Sequence, residues 1–245
     1  MSELKQDFSE ENVRLLIIQY INEIKTPNKR ENAFTELSRL REKFRDLAPY
    51  LWYSSGVIAI LLQEIINVYQ FLSPNSLIAS CTTHVCNVLT LLQCIASHAD
   101  TRSLLVKANI PIYLYPFLNT VSKSRQSEYL RLTSLGVIGS LVKIDDPAII
   151  HYLLQTEIIP LCLRIMEKSS ELAKTIATFV MQKILYDEEG LKYICEKPER
   201  FFAVSSVLSL IVKTQIKLPD DRLIKHVARC YLRFADNKRE NGIIE

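Results

Sequence analysis

The chain has little glycine and proline and lacks the common sequence motifs of catalysis. Five glycines and nine prolines in 245 residues leave little room for long disordered linkers. There is no G-x-S-x-G nucleophile turn, no phosphate-binding P-loop and no dinucleotide-binding fingerprint. The segment GVIG at 136–139 lies inside a helical pattern and therefore cannot form a phosphate-cradling turn. We expect a chain that is not an enzyme and that has no catalytic residue and no cofactor.

Formal charge is missing from one long stretch, Ile65 to Ala99. Polar residues interrupt it, and no part reaches the roughly 18 consecutive apolar residues that a membrane helix needs. The stretch therefore predicts a helix around Val85–Ala96 enclosed by its neighbours, and no membrane partner. The N-terminal MSELKQDFSEEN is polar and acidic, unlike a secretory signal. Because five of the six cysteines lie in apolar helical patterns, we expect reduced thiols and a cytoplasmic location, with the nucleus as a further location.

Metal and carboxylate chemistry have only weak signals. Cys81, His84 and Cys86 are close in sequence, but their spacing is not C-x-x-C and no second compact pair of ligands follows. A buried helix start is therefore favoured over a zinc site. The acidic clusters Asp145–Asp146 and Asp187–Glu189 precede helical patterns, where N-capping explains them better than catalysis does.

Three segments, which begin at Leu91, Leu135 and Thr178, repeat one pattern. Each has an apolar helix that ends near an acidic turn, then a short helix and a third apolar helix. The third helix of the first two segments begins at Pro111 and Pro160, which lie 49 positions apart. Helical units with periods of roughly 40–47 residues are typical of armadillo and HEAT proteins, whose units stack because none can bury its apolar face alone. We predict an all-α, armadillo/HEAT-like right-handed superhelical solenoid.

The same periodicity predicts one armadillo-like domain over residues 1–245. Residues 1–76 form an N-terminal capping region, residues 77–236 the repeat core and residues 237–245 a tail. Within the capping region we expect a helix over Glu10–Ile24 with Ser9 as its N-cap, a second over about Arg30–Phe44, and a third over Gly56–Phe71.

Two helices, Ser127–Val142 and 170–185, have a second, partly apolar stripe besides the one that suits a core. These stripes include Tyr129, Leu132 and Gly136 on the first helix, and Leu172 and Ile176 on the second. Each mid-helix glycine of the first helix costs about 1 kcal/mol relative to alanine. The stripes therefore predict a groove for a partner helix or strand; close packing within the solenoid is the alternative.

The last clear helix, Asp220–Phe234, has a basic face that includes Arg222, Lys225 and Arg229. A solvated surface explains such a face, and contact with phosphates or an acidic peptide is the alternative. The net charge of +3 does not by itself imply a nucleic-acid partner.

Several long motifs, in this order, resemble one family. They are NVLTLLQCIASHADTR, PIYLYPFLNTVSK, EYLRLTSLGVIGSLVK, TEIIPLCLRIME and RLIKHVARCYLRFADN. They are similar to the Rcd-one/Caf-forty family, the armadillo-type subunits of the CCR–NOT deadenylase complex, and the likeness covers about Leu15 to Asn237. It implies a non-catalytic adaptor that docks on the large NOT scaffold subunit and recruits mRNA repressors through short linear motifs, for deadenylation, mRNA decay and translational repression. A nucleic-acid-binding or transcriptional regulator with weak nucleic-acid contact is the alternative, and a homodimer stays open.

The resemblance also implies sites. Scaffold contacts fall near Tyr53, Ser55, Ala59 and Ile66, where the family's pattern favours His and Phe in place of Tyr53 and Ser55. The family's peptide-binding face coincides with the predicted groove.

A second implied site is a tryptophan pocket on the opposite face. Pro160, Arg200 and Arg239 match it, whereas Pro198 replaces a tyrosine of the family's site. The family's nucleic-acid cleft is basic, and Arg222 matches one of its arginines.

Overall fold

The computed structural model describes residues 10–72, 76–216 and 219–236. Every regular element within these ranges is a helix, which confirms the predicted all-α class. The chain divides into two compact units, which meet in sequence between Tyr113 and Leu114. The predicted cap Ser9 and the predicted tail 237–245 lie outside the described residues. The assignment of one domain with a capping region up to residue 76 stays a prediction.

The first unit is assembled around one long apolar helix. Its helices are α1 (Glu10–Ile24), α2 (Pro27–Leu40), α3 (Leu47–Tyr53), α4 (Val57–Asn67), α5 (Ala79–Ser97) and α6 (Ala99–Lys107). The central helix α5 packs against α2, α3, α4 and α6. Its side chains Val85, Leu89 and Leu92 are fully buried, and burial of each such side chain contributes roughly 1.5–3 kcal/mol. Helix α5, the longest helix of the uncharged stretch, therefore forms the core of this unit.

The sequence placed α1 correctly and the next helices less well. Helix α2 begins at Pro27 and not Arg30, because proline is favoured in the first turn, where its missing N–H costs nothing. The predicted helix Gly56–Phe71 is α4 followed by a 3₁₀ turn, Tyr69–Phe71, and the apolar segment before it is a helix of its own, α3. Gly56 separates α3 from α4 at a φ of 81°, a left-handed conformation that favours glycine.

The second unit contains the two complete copies of the predicted helix pattern. Its helices are α7 (Tyr115–Leu118), α8 (Arg125–Val142), α9 (Pro147–Leu154), α10 (Ile158–Lys168), α11 (Glu171–Tyr186), α12 (Glu188–Cys195), α13 (Pro198–Gln215) and α14 (Asp221–Ala235). Helix α11 packs against α8, α10, α12 and α14. The helix predicted to begin at Pro111 is shorter than expected: a 3₁₀ turn, Ile110–Leu114, leads into the single turn of α7.

Side-chain caps fix where the helices of the second unit begin. The side chains of Ser124, Asp146, Ser170, Asp187 and Asp220 each accept a hydrogen bond from a backbone N–H in the first turn of α8, α9, α11, α12 and α14. Such a cap contributes about 1 kcal/mol. The capping role predicted for the two acidic clusters is confirmed by Asp146 and Asp187.

Candidate docking surfaces

Helices α8 and α11 lie side by side in the second unit, as the two stripes require. A Cβ placed on Gly139 of α8 would lie 3.6 Å from Ile176 Cγ2 and 4.0 Å from the Phe179 ring, both on α11. At the far end of the pair, Lys183 Nζ of α11 lies 2.6 Å from Asp145 Oδ1, just after α8. The predicted core positions of both helices are buried, including Leu135, Ile138 and Val180.

The five predicted groove residues differ in how far this packing covers them. Tyr129 and Leu172 are 45% and 58% exposed, whereas Leu132, Gly136 and Ile176 are half-buried. Ile176 is partly covered because it packs beside Gly139. Of the five side chains, that of Leu172 is the most exposed.

Tyr129 is held in place at one end of this surface. The Arg125 guanidinium lies 5.4 Å from the ring centroid, and its Nη2 donates to the tyrosine hydroxyl at 2.9 Å. A cation–π contact at an exposed site contributes about 0.5–1 kcal/mol. The phenol ring is therefore presented as a fixed, amphipathic contact.

On its other side α11 contacts the basic helix α14. The Nδ1 of His226 lies 2.7 Å from Gln182 Oε1, and its ring lies 5.4 Å from that of Phe179. Burial and the nearby charge of Arg229 lower the pKa of His226, while Asp220 acts in the opposite direction. The neutral imidazole is thus the favoured form in the folded chain.

The basic face of α14 is exposed at the three predicted positions, Arg222, Lys225 and Arg229. Arg233, four positions after Arg229 on the same helix, serves the fold: its Nε donates to the Leu185 carbonyl oxygen at 3.1 Å, and its guanidinium pairs with Glu188 and Asp236. The apolar side of α14, which includes Leu223, Val227 and Phe234, is buried.

The residues matched to the scaffold site lie together in sequence on the surface of the first unit. Tyr53, at the end of α3, is 69% exposed and Ile66 of α4 is 43% exposed. Ser55 and Ala59 are also exposed. Since Ala59 and Ile66 are two helical turns apart, they share one face of α4.

The residues matched to a tryptophan pocket are only partly described. Pro160 is exposed at the start of α10. The Arg200 guanidinium stacks 3.7 Å from the centroid of the Tyr193 ring and donates to the Tyr193 carbonyl oxygen at 2.9 Å. The third matched residue, Arg239, lies outside the described residues.

One polar cluster of the first unit has no local signal in the sequence. The Glu64 carboxylate accepts from Arg30 Nη1 at 2.8 Å, and its other oxygen lies 2.9 Å from His84 Nε2. Arg30 Nε also donates to the Ile24 carbonyl oxygen at 2.8 Å, so the cluster joins α1, α2, α4 and α5. The hydrogen bond with His84, and more weakly Arg30, lower the pKa of Glu64 against the opposing effect of burial.

The cluster also accounts for the histidine of the Cys81, His84 and Cys86 triplet. Within the described ranges, no three His, Cys, Asp or Glu side chains are grouped as a metal ion would require. Burial raises the pKa of the Cys81 thiol, with a smaller contribution from Glu64. That shift disfavours the thiolate form that binds metals.

Helix α5 is long and apolar enough to cross a membrane by length and composition. Two bent pairs, α3 with the segment Val57–Phe71 and α9 with α10, would also qualify if each counted as one span. In the structure the apolar side of α5 is covered by other helices of the first unit.

Comparisons with a family model and with known proteins point to one family. The model of the cell differentiation family, Rcd1-like, matches residues 20–245. Cell differentiation protein rcd1 of Schizosaccharomyces pombe is 56% identical over 224 residues, which cover 91% of this chain and 79% of that protein. Protein CAF40 of Saccharomyces cerevisiae is 54% identical over 217 residues, 88% of this chain and 58% of the yeast protein's length.

A solved structure shows the fold. A designed armadillo repeat protein in complex with the peptide (KR)4 superimposes with a TM-score of 0.59 at 12% identity, over 88% of this chain and 98% of the designed one. The predicted armadillo-like, all-α architecture is thereby confirmed.

Proposed function

This chain belongs to the cell differentiation family, Rcd1-like, and on that premise we propose that it is a non-catalytic adaptor subunit of a CCR–NOT deadenylase assembly. In this role it docks on the large NOT scaffold subunit and binds short linear motifs of mRNA repressors, which brings their transcripts to deadenylation, decay and translational repression. The place of action is the cytoplasm, with the nucleus as a second compartment.

The observation that supports this proposal most directly is the uncovered apolar surface of α8 and α11. Leu172 is 58% exposed, one helical turn from the half-buried Ile176, and Leu132 on the neighbouring helix α8 is also half-buried. A helix with one apolar face fits such a surface, because it buries side chains at spacings of three and four residues. Each aliphatic side chain buried in the complex contributes roughly 1.5–3 kcal/mol.

A second surface, in the first unit, supplies the other half of an adaptor. Tyr53 and Ile66 expose apolar area on either side of Ala59 in the sequence. Contiguous exposed apolar patches mark protein interaction sites, and aromatic residues such as tyrosine are enriched in them. The two surfaces share no residue, so separate substitutions can test scaffold docking and repressor binding.

The two roles predict a double dissociation. Leu172→Glu should weaken binding of a repressor peptide at least tenfold, since a charge is then desolvated without a partner and about 1.4 kcal/mol is already a factor of ten. Ala59→Glu should weaken binding of the NOT scaffold by a similar factor and leave the affinity for the peptide unchanged. Isothermal titration with a repressor-motif peptide and a scaffold fragment measures both affinities.

A matched control for the first variant is Phe202→Glu on α13, because Phe202 and Leu172 are both 58% exposed. Both substitutions should leave the thermal midpoint nearly unchanged. Leu172→Glu is a cleaner probe than Ile176→Glu, since Ile176 packs beside Gly139 and its loss would also affect stability. If Phe202→Glu and Leu172→Glu weaken peptide binding equally, or if neither variant weakens it, the α8–α11 surface is not the recruiting site.

The alternative function, nucleic-acid binding, rests on a different observation. Arg222, Lys225 and Arg229 are exposed along one helix, and within the described residues no carboxylate lies within 4 Å of them. Such a row can contact successive phosphates.

A further inference from the structure

The second unit contains a cavity of about 610 Å³ that none of the docking surfaces uses. It lies where α7 and α10 end and where α8 and α11 begin. Four basic side chains line it, Lys123, Arg131, Arg164 and Lys168, together with two acidic ones, Glu128 and Glu167. Its size is within the roughly 300–1,000 Å³ of small-ligand sites.

Arg131 forms a fixed wall of this cavity. It is only 4% exposed, and its Nη2 donates to the Thr120 carbonyl and hydroxyl oxygens at 2.8 and 3.0 Å and to the Ser122 carbonyl oxygen at 3.1 Å. These bonds order the segment before α8 and so place Lys123 at the cavity. The Nη1 of Arg131 pairs with the Glu128 carboxylate, which also accepts a hydrogen bond from the Ser170 hydroxyl. The Glu128 charge is therefore already compensated within the wall.

The other three cations have no such compensation. In the part of the chain that the structure describes, no carboxylate comes within 4 Å of Lys123, Arg164 or Lys168; Arg164 donates instead to the Asn119 amide oxygen. Like charges that line one cavity repel each other, and an anion would relieve that repulsion.

Two long helices add to the positive potential. Helix α8 has 18 residues and α11 has 16, and Ser122, Ser169 and Ser170, which come just before them, line the cavity. The N-terminal end of a helix carries about half a positive charge. Lys123, Arg164 and Lys168 outnumber Glu167, the remaining acidic side chain of the lining, by two charges. This surrounding therefore favours a group with more than one negative charge.

We propose that this cavity binds a phosphate monoester, the side chain of a phosphoserine in a peptide. A phosphate monoester carries between one and a half and two negative charges at pH 7 and three acceptor oxygens. It can take the planar fork of Arg164 and the point charges of both lysines at once. Val121, which is 83% exposed on the same lining, offers apolar contact for the carbon atoms next to the phosphate. A lone carboxylate would leave part of the positive charge unmatched.

The test is an NMR titration of the full ¹⁵N-labelled chain with N-acetyl-O-phosphoserine amide. We expect the amide signals of residues 120–124 and 168–172 to shift in a saturable way. Lys123→Glu combined with Lys168→Glu should weaken this binding at least tenfold, and both positions are exposed, so the spectrum should stay that of a folded protein. Lys213→Glu, an exposed position on α13 outside the cavity, is the control and should change the affinity little.

Parallel titrations use N-acetylserine amide and inorganic phosphate. N-acetylserine amide should not bind, and inorganic phosphate should bind more weakly than the phosphoserine amide. Equal affinity for inorganic phosphate would show a free-anion site and refute the monoester assignment. Shifts spread over the surface, a Lys213→Glu effect as large as that of the double variant, or no shift at the cavity would each refute the site.

Discussion

At the scale of single residues, two glycines of the second unit meet opposite packing conditions. A Cβ on Gly190 of α12 would lie 1.9 Å from the Ile184 carbonyl oxygen, a distance that no real contact allows. A Cβ on Gly139 would make ordinary contacts of 3.6–4.0 Å with Ile176 and Phe179. Gly190 is therefore required by close backbone approach, whereas Gly139 is not required by space.

Alanine at these two positions should change the free energy of unfolding in opposite directions. Gly190→Ala should lower the free energy of unfolding by about 1–3 kcal/mol, because the backbone must shift. Gly139→Ala should raise it by up to about 1 kcal/mol, because alanine is the better helix former and adds contacts. Urea denaturation measures both. A loss above 1 kcal/mol in Gly139→Ala would mean that α8 and α11 lie closer together than these distances indicate.

At the scale of elements, the cluster of Arg30, Glu64 and His84 fastens α2, α4 and α5 together. Its side chains are only 15–20% exposed. Hydrogen bonds to a charged group contribute about 1.5–3 kcal/mol when they are shielded from water. The cluster thus adds a directional contact to a unit otherwise held by apolar packing.

The pH dependence of this contact has a definite sign. Because the pKa of Glu64 is lowered from its ordinary 4.5, the contribution is fully present above pH 4.5 and is lost as the pH falls through the folded-state pKa. Glu64→Gln should therefore cost on the order of 1–3 kcal/mol at pH 7 and much less near pH 3. Unfolding curves at several pH values measure the difference.

The control is Glu36→Gln, which removes a surface pair with Arg39 that lies within α2. It should change stability by no more than about 0.5 kcal/mol at any pH. A Glu64→Gln penalty that stays constant between pH 7 and pH 3 would contradict the assigned ionisation.

At the scale of the whole molecule, charge is nearly balanced. The chain has 30 Lys and Arg residues and 27 Asp and Glu residues, which give a net charge of +3. A weak overall field cannot by itself bind a polyanion, so any nucleic-acid affinity must come from a local row of cations. The exposed side of α14 is such a row.

RNA binding measured over a range of salt concentrations tests whether the cations of α14 contact phosphates. If α14 contacts phosphates, the affinity falls steeply with salt, and Arg222→Glu with Arg229→Glu removes both the binding and the salt slope. If the chain is an adaptor, RNA should bind weakly, and these variants should leave the affinity for repressor peptides unchanged. Tight RNA binding that the double variant abolishes, together with no peptide binding, would favour the alternative function.

The sequence alone determined what local interactions decide. Helical periodicity and capping residues involve neighbours within a few positions, and so α1, α8, α11 and α14 and the caps Asp146 and Asp187 followed from the pattern. The stripes of α8 and α11 also followed, because residues three and four apart share a helix face whatever surrounds it.

Tertiary structure decided what depends on residues far apart in the chain. The break at Gly56, the half-burial of Ile176 beside Gly139 and the salt bridge of Arg30 with Glu64 depend on how helices pack, as does the basic cavity between the starts of α8 and α11. A local pattern gives the face on which a side chain lies but not the helix that covers it. Burial, pairing and cavity shape are set by that second helix, and they are therefore read only from the folded chain.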